Sequence, residues 1–265
     1  MRNLLHANLR RLVRSKAFLI ALLAELAYAA LAVLSCWDHC AIGDQYTLEY
    51  VLTAGYVQLS YLPIPTLILA PLLSLYLGAD YGNSTLRNKL IVGHTRTEVY
   101  LADLAACMVT SVALDVVYLV LSSALCVKPI LEISGRLLRF SPGKVFLWVA
   151  VLLLARAAVV KLVVTVLGNR TAASIVVLLL VVAAALISTT GIDEVSYLSR
   201  NLMVDGNADR MANWQLALDI LPTGQYYQVS RLDTPNLWRM PLLSLAAIAA
   251  STGAGLLFFR GKDLK

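Results

Sequence analysis

The chain has 265 residues, 59% of them hydrophobic and 14% charged, with a mean hydropathy of +0.74. Soluble domains are about 45–50% apolar and about 25% charged, so this balance excludes an ordinary soluble domain and points to an all-α membrane protein. The net charge of +6 is not read as nucleic-acid binding, because basic residues crowd the N-terminus, where they suit an anionic membrane leaflet.

A membrane-crossing helix needs about 20 mostly apolar residues. Six segments qualify: 17–35, 58–77, 99–127, 145–167, 171–190 and 240–259. The whole chain, 1–265, reads as one transmembrane domain with no soluble domain attached. Residues 1–16 carry Arg2, Arg10, Arg11, Arg14 and Lys16 and no acid. The positive-inside rule places them in the cytoplasm. Leu4, Leu5, Leu9, Leu12 and Val13 recur near helical spacing, with arginines on the other face. That pattern predicts an interfacial helix over 1–16, with a plain basic flank as the alternative. The following apolar run is too long for the usual signal-peptide core, and Leu34 fits a lipoprotein cleavage site poorly, so a retained first span is expected.

The first span holds Glu25 at mid-depth. The loop after it carries Asp38, Asp44 and Glu49 without Lys or Arg, as expected outside. Cys36 and Cys40 flank His39 there; two free thiols are the default, with a disulfide or a metal site as alternatives. The second span contains Pro63, Pro65 and Pro71, which remove backbone donors and permit bends. Gly82 ends it. Asn83 or Ser84 then N-caps a short helix through Ile91, and Gly93 stops it. Leu86, Leu90 and Ile91 fall on one face of that helix, leaving Arg87 and Lys89 to water. Thr95 and Glu98 form a capping box that starts the third span, with Arg96 inside it. A two-turn helix exceeds what a connection requires, so a docking element is preferred to a merely well-capped turn.

In the third span Asp103 lies near the cytoplasmic end, where water is expected to reach it, and Asp115 lies near the middle. Arg156 is mid-span in the fourth and Lys161 nearer its inner end. Ionisable groups at such depth face a protein interior or a cavity. An Asp115–Arg156 ion pair bracing two helices is preferred to a pathway charge, while a Glu25–Lys161 pair has only similar depth to suggest it. Cys107 and Cys126 are expected to be buried and inert. The basic loop 128–144, with Lys128, Arg136, Arg139 and Lys144 against Glu132, opposes its predicted outer location. The sequons at Asn83 and Asn169 fall in predicted cytoplasmic turns, where glycosylation is not expected. Residues 191–239 form the long outer segment, with a short helix over Asn213–Leu221 ended by Pro222 and Gly224. Trp214, Tyr226, Tyr227 and Trp238 suit an interfacial belt, and the segment reads as a substrate gate or a fixed lid. Arg260, Lys262 and Lys265 place the C-terminus in the cytoplasm as well.

Catalytic chemistry is not legible. No G-x-x-x-x-G-K-[ST] phosphate loop is present, Gly261-Lys262 being followed by Asp263. His6, His39 and His94 are scattered, so no metal site and no enzyme activity are expected.

Three stretches resemble the ABC-2 type permease family. Asp80-Tyr-Gly-Asn-Ser-Thr-Leu-Arg-Asn-Lys-Leu90, with Gly93-His-Thr-Arg96 and Tyr100-Leu-Ala-Asp103, is similar to that family's loop after the second span. Leu221-Pro-Thr-Gly-Gln225 and the ending Phe258-Phe-Arg-Gly-Lys-Asp-Leu-Lys265 are similar too. Asp80 stands where the family often has Glu, and Asn83-Ser84 where it often has Gly. The resemblance implies a six-span permease with a cytoplasmic elbow helix before the first span. Asn83, Ser84, Thr85, Leu86, Arg87, Lys89, Leu90, Ile91, Gly93 and Arg96 would then form the coupling element for a separate ABC ATPase subunit. Two ATPases holding ATP and Mg, and a second permease chain, would complete an exporter in the plasma membrane, with no cofactor on this chain. The alternatives are an ion-coupled secondary transporter using Glu25, Asp115, Arg156 and Lys161, for which no internal repeat is visible, and a non-transporting sensor or assembly partner.

Overall fold

The computed structural model describes residues 2–41, 63–82, 85–125, 142–201, 206–230 and 238–262. Every regular element among them is a helix: α1 (Arg2–Val13), α2 (Lys16–Ala41), α3 (Pro63–Gly82), α4 (Thr85–Ile91), α5 (Arg96–Leu125), α6 (Pro142–Leu167), α7 (Arg170–Arg200), α8 (Asn207–Ile220), α9 (Pro222–Ser230) and α10 (Arg239–Gly261). Five helices, α2, α5, α6, α7 and α10, are long and apolar enough to cross a membrane. In α3 the described apolar run is shorter, Ile68–Tyr81.

Several predicted boundaries move. The fifth apolar segment, expected over 171–190, continues as one helix to Arg200, so the segment expected to be outside from 191 begins inside α7. At 1.5 Å per residue a 31-residue helix is about 46 Å long, longer than a hydrocarbon core of about 30 Å. Sequence reading stopped at Thr190 because polarity rises there, but nothing from Gly191 to Ser199 breaks a helix strongly enough to end it. The helix of the second segment continues past the apolar run and ends at Gly82, where the sequence predicts its end. The short helix expected over Asn213–Leu221 starts at Asn207 instead, and a second helix, α9, follows from Pro222. Proline opens α9 because its missing N–H is one of the donors a first turn leaves free. The expectations for Asn83 and Ser84, Cys126, the Cys36 and Cys40 thiols and most of the basic loop 128–144 lie outside the described residues and side chains.

Polarity is arranged inside out. Over their apolar 18-residue stretches, α5 and α6 are 61% buried, against 22% for α7 and α10. Leu19, Ile20, Leu23 and Leu31 of α2, Leu178, Leu179 and Leu186 of α7, and Leu242, Leu245 and Leu257 of α10 are exposed. Glu25, Ser74, Asp80, Asp103, Asp115, Arg156, Lys161 and Thr165 are buried. Lipid is as apolar as leucine, so outward leucines cost nothing there, and polar groups gain by facing each other.

The helices are joined by local chemistry that the residues dictate. Gly168, at φ +62°, turns α6 directly into α7. Asn169 caps α7 by accepting from the Thr171 and Ala172 amides at 2.9 and 3.3 Å. At the start of α5 the expected capping box is formed. The Glu98 amide donates to Thr95 Oγ1 at 3.2 Å, and the Thr95 amide to Glu98 Oε2 at 3.1 Å. Two cations close helix C-termini. Arg96 Nη1 donates to the carbonyls of Phe259, Arg260 and Lys262 at the end of α10. Lys262 Nζ donates to the Thr165 and Val166 carbonyls at the end of α6. Burial lowers Lys262 below the usual lysine pKa.

Candidate functional site: a charged junction at one end and unpaired charges within

The helix over Thr85–Ile91 stands where the sequence predicts it, and its side chains divide sharply. Leu86 is 2% exposed and packs with Leu4, Val99 and Tyr100. Leu90 is half-buried in the same cluster. Ile91 and Val92 are 71% and 79% exposed, and Arg87 is exposed beside them. The expectation that Leu86, Leu90 and Ile91 share one face is therefore corrected. A seven-residue helix makes two turns, and Ile91 stands five positions, about 140°, round the helix from Leu86. Gly93, at φ +102°, ends this element with a conformation that side-chain-bearing residues rarely adopt.

Lys89 was expected to face water. It turns inward instead, its Nζ 3.0 Å from Asp80 Oδ2 and 2.9 Å from Asp103 Oδ1. Asp80 also takes a two-pronged pair from Arg11, at 2.6 Å to Oδ1 and 2.7 Å to Oδ2. Asp103 accepts in addition from Asn8 Nδ2 at 2.7 Å and Lys161 Nζ at 3.1 Å. Arg11 Nε donates to Tyr76 Oη at 3.1 Å, and Tyr76 Oη donates to the Asn8 carbonyl at 3.0 Å. One connected network thus ties α1, α3, α4, α5 and α6 together. Burial works against the Arg11 charge, but the hydrogen bond and charge of Asp80 outweigh it and hold the guanidinium above its ordinary pKa.

This arrangement corrects three further expectations. Asp103 is not wet, being 2% exposed and ion-paired. Lys161 pairs with Asp103 rather than with Glu25. In α1, Leu4 and Leu12 face inward as predicted, but Asn8 and Arg11 join them there, and Val13 is exposed. Arg96, assigned to the coupling element, is occupied in capping α10.

The second group lies deeper. Glu25 on α2, Asp115 on α5 and Arg156 on α6 are 0%, 1% and 8% exposed. Each of the three lies in the electrostatic field of the other two. They nevertheless form no contact ion pair. Both Glu25 oxygens, Asp115 Oδ1 and all three Arg156 nitrogens lack a hydrogen-bond partner. The expected Asp115–Arg156 bridge is therefore corrected, and axial position gives the reason. Asp103 touches Lys161, which sets α5 and α6 at a common depth. Asp115 lies 12 residues beyond Asp103, about 18 Å, while Arg156 lies 5 residues before Lys161, about 7.5 Å. The offset of about 10 Å exceeds what the two side chains comfortably span.

At the end remote from α4, α9 covers this group. The Arg156 guanidinium lies 6.0 Å from the centre of the Tyr226 ring. Tyr226 is 1% exposed and packs on Val149, Leu152 and Leu153 of α6. Burial, and after it the charge of Asp115, pushes the Tyr226 phenol well above its ordinary pKa. Buried Asp219 anchors α8 and α9: it accepts from Gln228 Nε2 at 3.2 Å, its carbonyl accepts from Gln225, and Arg239 lies 3.6 Å from it. Ser244 Oγ of α10 donates to Gln225 Oε1 at 2.8 Å. Sequence reading missed Asp219 and Gln228, and quoted Gln225 only as the end of the Leu221–Gln225 motif, with no role. The signal for Asp219 and Gln228 was a polar cluster, Asp219 to Gln228, next to a predicted helix end.

No family model matches the chain, and no curated protein matches it either.

Proposed function

We propose that this chain is the membrane-spanning permease subunit of an ABC transporter of the ABC-2 type, exporting an amphipathic substrate. In this reading the chain crosses the plasma membrane six times, α3 completing the set. Helix α1 is the elbow at the inner surface, and both termini are cytoplasmic. A separate ATPase subunit, in two copies, binds ATP and Mg, and a second permease chain completes the assembly.

The observation that carries the reading is the mounting of α4. Its outward tip, Ile91 and Val92, is apolar and exposed in a polar connection. Its inward Lys89 is ion-paired to α3 through Asp80 and to α5 through Asp103. A partner that grips the tip pushes on both long helices through buried ion pairs, which resist displacement because separating them strands a charge. A plain connection has no need of either feature.

The test is co-expression with the ABC ATPase subunit and affinity purification. Ile91→Asp with Val92→Asp should abolish co-purification while the permease still inserts and folds, because both side chains are free. Leu86→Asp is the wrong probe, since it places a charge in the core. A wild-type chain that never co-purifies with an ATPase subunit would end this reading.

A specific observation favours one rival, an ion-coupled carrier: Glu25, Asp115 and Arg156 are buried without hydrogen-bond partners. Lys161 does not support it, being paired with Asp103. Substrate flux in vesicles holding the chain alone, driven by an ion gradient, would favour the rival. Flux that requires the ATPase subunit and ATP would exclude it.

A further inference from the structure

The group under Tyr226 contains two carboxylates and one guanidinium, so its fully ionised form carries one excess negative charge. Arg156 is more than nine-tenths buried, and its three nitrogens lack hydrogen-bond partners. Isolated buried charges cost several kcal/mol, so a cluster left unsatisfied in the closed protein is one that something else completes. The excess charge is balanced by a proton on one acid or by a positive group in its place, and an oxygen acceptor would meet the Arg156 donors. Beside Tyr226 an apolar cleft is lined by Trp148, Val151, Leu152, Met240 and Pro241, with Gln225 and Ser244 at its edge. Leu152 belongs both to that cleft and to the cluster that holds Tyr226. Tyr226 thus packs on a residue that lines the cleft, and its ring lies 6.0 Å from the Arg156 guanidinium.

We infer that Glu25, Asp115 and Arg156 form a binding site for the ammonium head of an amphipathic amine, whose apolar chain lies in the cleft by Trp148. The ammonium meets Glu25 and Asp115, and an oxygen next to it, from the ligand or a water, accepts from Arg156. Tyr226 withdraws with α9 to admit the head and offers its ring face to the cation. The inference rests on the permease reading only for calling this ligand a cargo. The site requires no partner chain.

The experiment uses the full-length chain in phosphatidylcholine nanodiscs, with dodecylamine, dodecanol and dodecanoate as probes. Dodecylamine should raise the thermal unfolding temperature saturably, while the neutral and anionic chains should not. Glu25→Gln and Asp115→Asn should each weaken its apparent affinity by about tenfold or more, the loss of one charge-assisted contact. Glu194→Gln, at a half-exposed α7 acid whose partner is Arg210 of α8, should leave it unchanged. If neither cluster variant folds, wild-type protein decides. Dicyclohexylcarbodiimide should modify Glu25 or Asp115, mapped by mass spectrometry, and dodecylamine but not dodecanol should slow that labelling. Equal effects of the three amphiphiles, or labelling that dodecylamine does not slow, would overturn the inference. An ATPase subunit that co-purifies with a chain showing no amine preference sinks the inference and spares the permease reading. Amine selectivity in a chain that binds no ATPase subunit does the reverse.

Discussion

Asp103 and Lys161 show how unequal the two sides of a buried ion pair can be. Lys161 is 1% exposed, and among the described residues Asp103 is the only carboxylate in salt-bridge contact with it; the Tyr100 ring centre lies 5.2 Å away. Asp103 has Lys89 and Asn8 in reserve. Removing the acid strands a buried ammonium, whereas removing Lys161 leaves the acid paired. Asp103→Asn is therefore expected to cost about 3–5 kcal/mol, and Lys161→Met about 1–2 kcal/mol. Chemical unfolding in one detergent would measure both, and equal losses would contradict the network. Lys89→Met removes two contacts at an 11% exposed side chain. It should leave docking of an ATPase intact while lowering transport per ATP hydrolysed, because the tip survives and the link to α3 and α5 does not.

At the scale of elements, close approach decides where helices end and how they meet. A Cβ on Gly224 would lie 2.5 Å from the Leu218 carbonyl oxygen and 2.8 Å from the Leu218 Cα. Both are backbone atoms that cannot swing aside. Gly224→Ala is expected to pry α9 from α8, at a cost of about 1–3 kcal/mol or more. Loosened anchoring should also expose Tyr226, read as faster proteolysis between α8 and α10. Arg96 binds the end of α10 through three carbonyls. Arg96→Gln should cost about 1–2 kcal/mol in thermal stability and leave ATPase binding intact, since Arg96 faces α10 and not the exposed tip.

For the whole molecule, the exposed apolar faces of the long helices are the surfaces expected to meet lipid. Leu179 on α7 and Leu257 on α10 are 62% and 71% exposed. Alanine at either site should leave the fold intact. Lysine should weaken membrane integration by up to about 2.5–3.5 kcal/mol, towards the lower end near a helix end, as scored by glycosylation-tag insertion assays. Val164 and Ala173 are fully buried, so spin labels there should see neither oxygen nor aqueous relaxants, while a label at Leu179 should see oxygen.

Much of this architecture was legible without coordinates. Run length and apolarity determine the helices long enough to cross a membrane, because an unbonded backbone has no other solution in lipid. The capping box at Thr95–Glu98 and the stop at Gly93 are local chemistry, so they were legible too. The short helix over Thr85–Ile91 was predicted with its observed bounds. What its residues face was not. Lys89 points inward only because Asp80 and Asp103 come from helices that the chain brings alongside, and Arg11 turns inward for the same Asp80. Pairing between helices depends on relative axial offset, which no single helix encodes. That is why Asp103 finds Lys161, while Asp115 and Arg156, similar in apparent depth, stay unbonded. Sequence by itself determined which segments are helical and apolar and where the Gly93 stop and the Thr95–Glu98 capping box lie, since these follow from neighbours within a few residues. Only the tertiary structure decided which buried charges are paired and which stay without a hydrogen-bond partner, since charge pairing follows from distances between helices far apart in the chain.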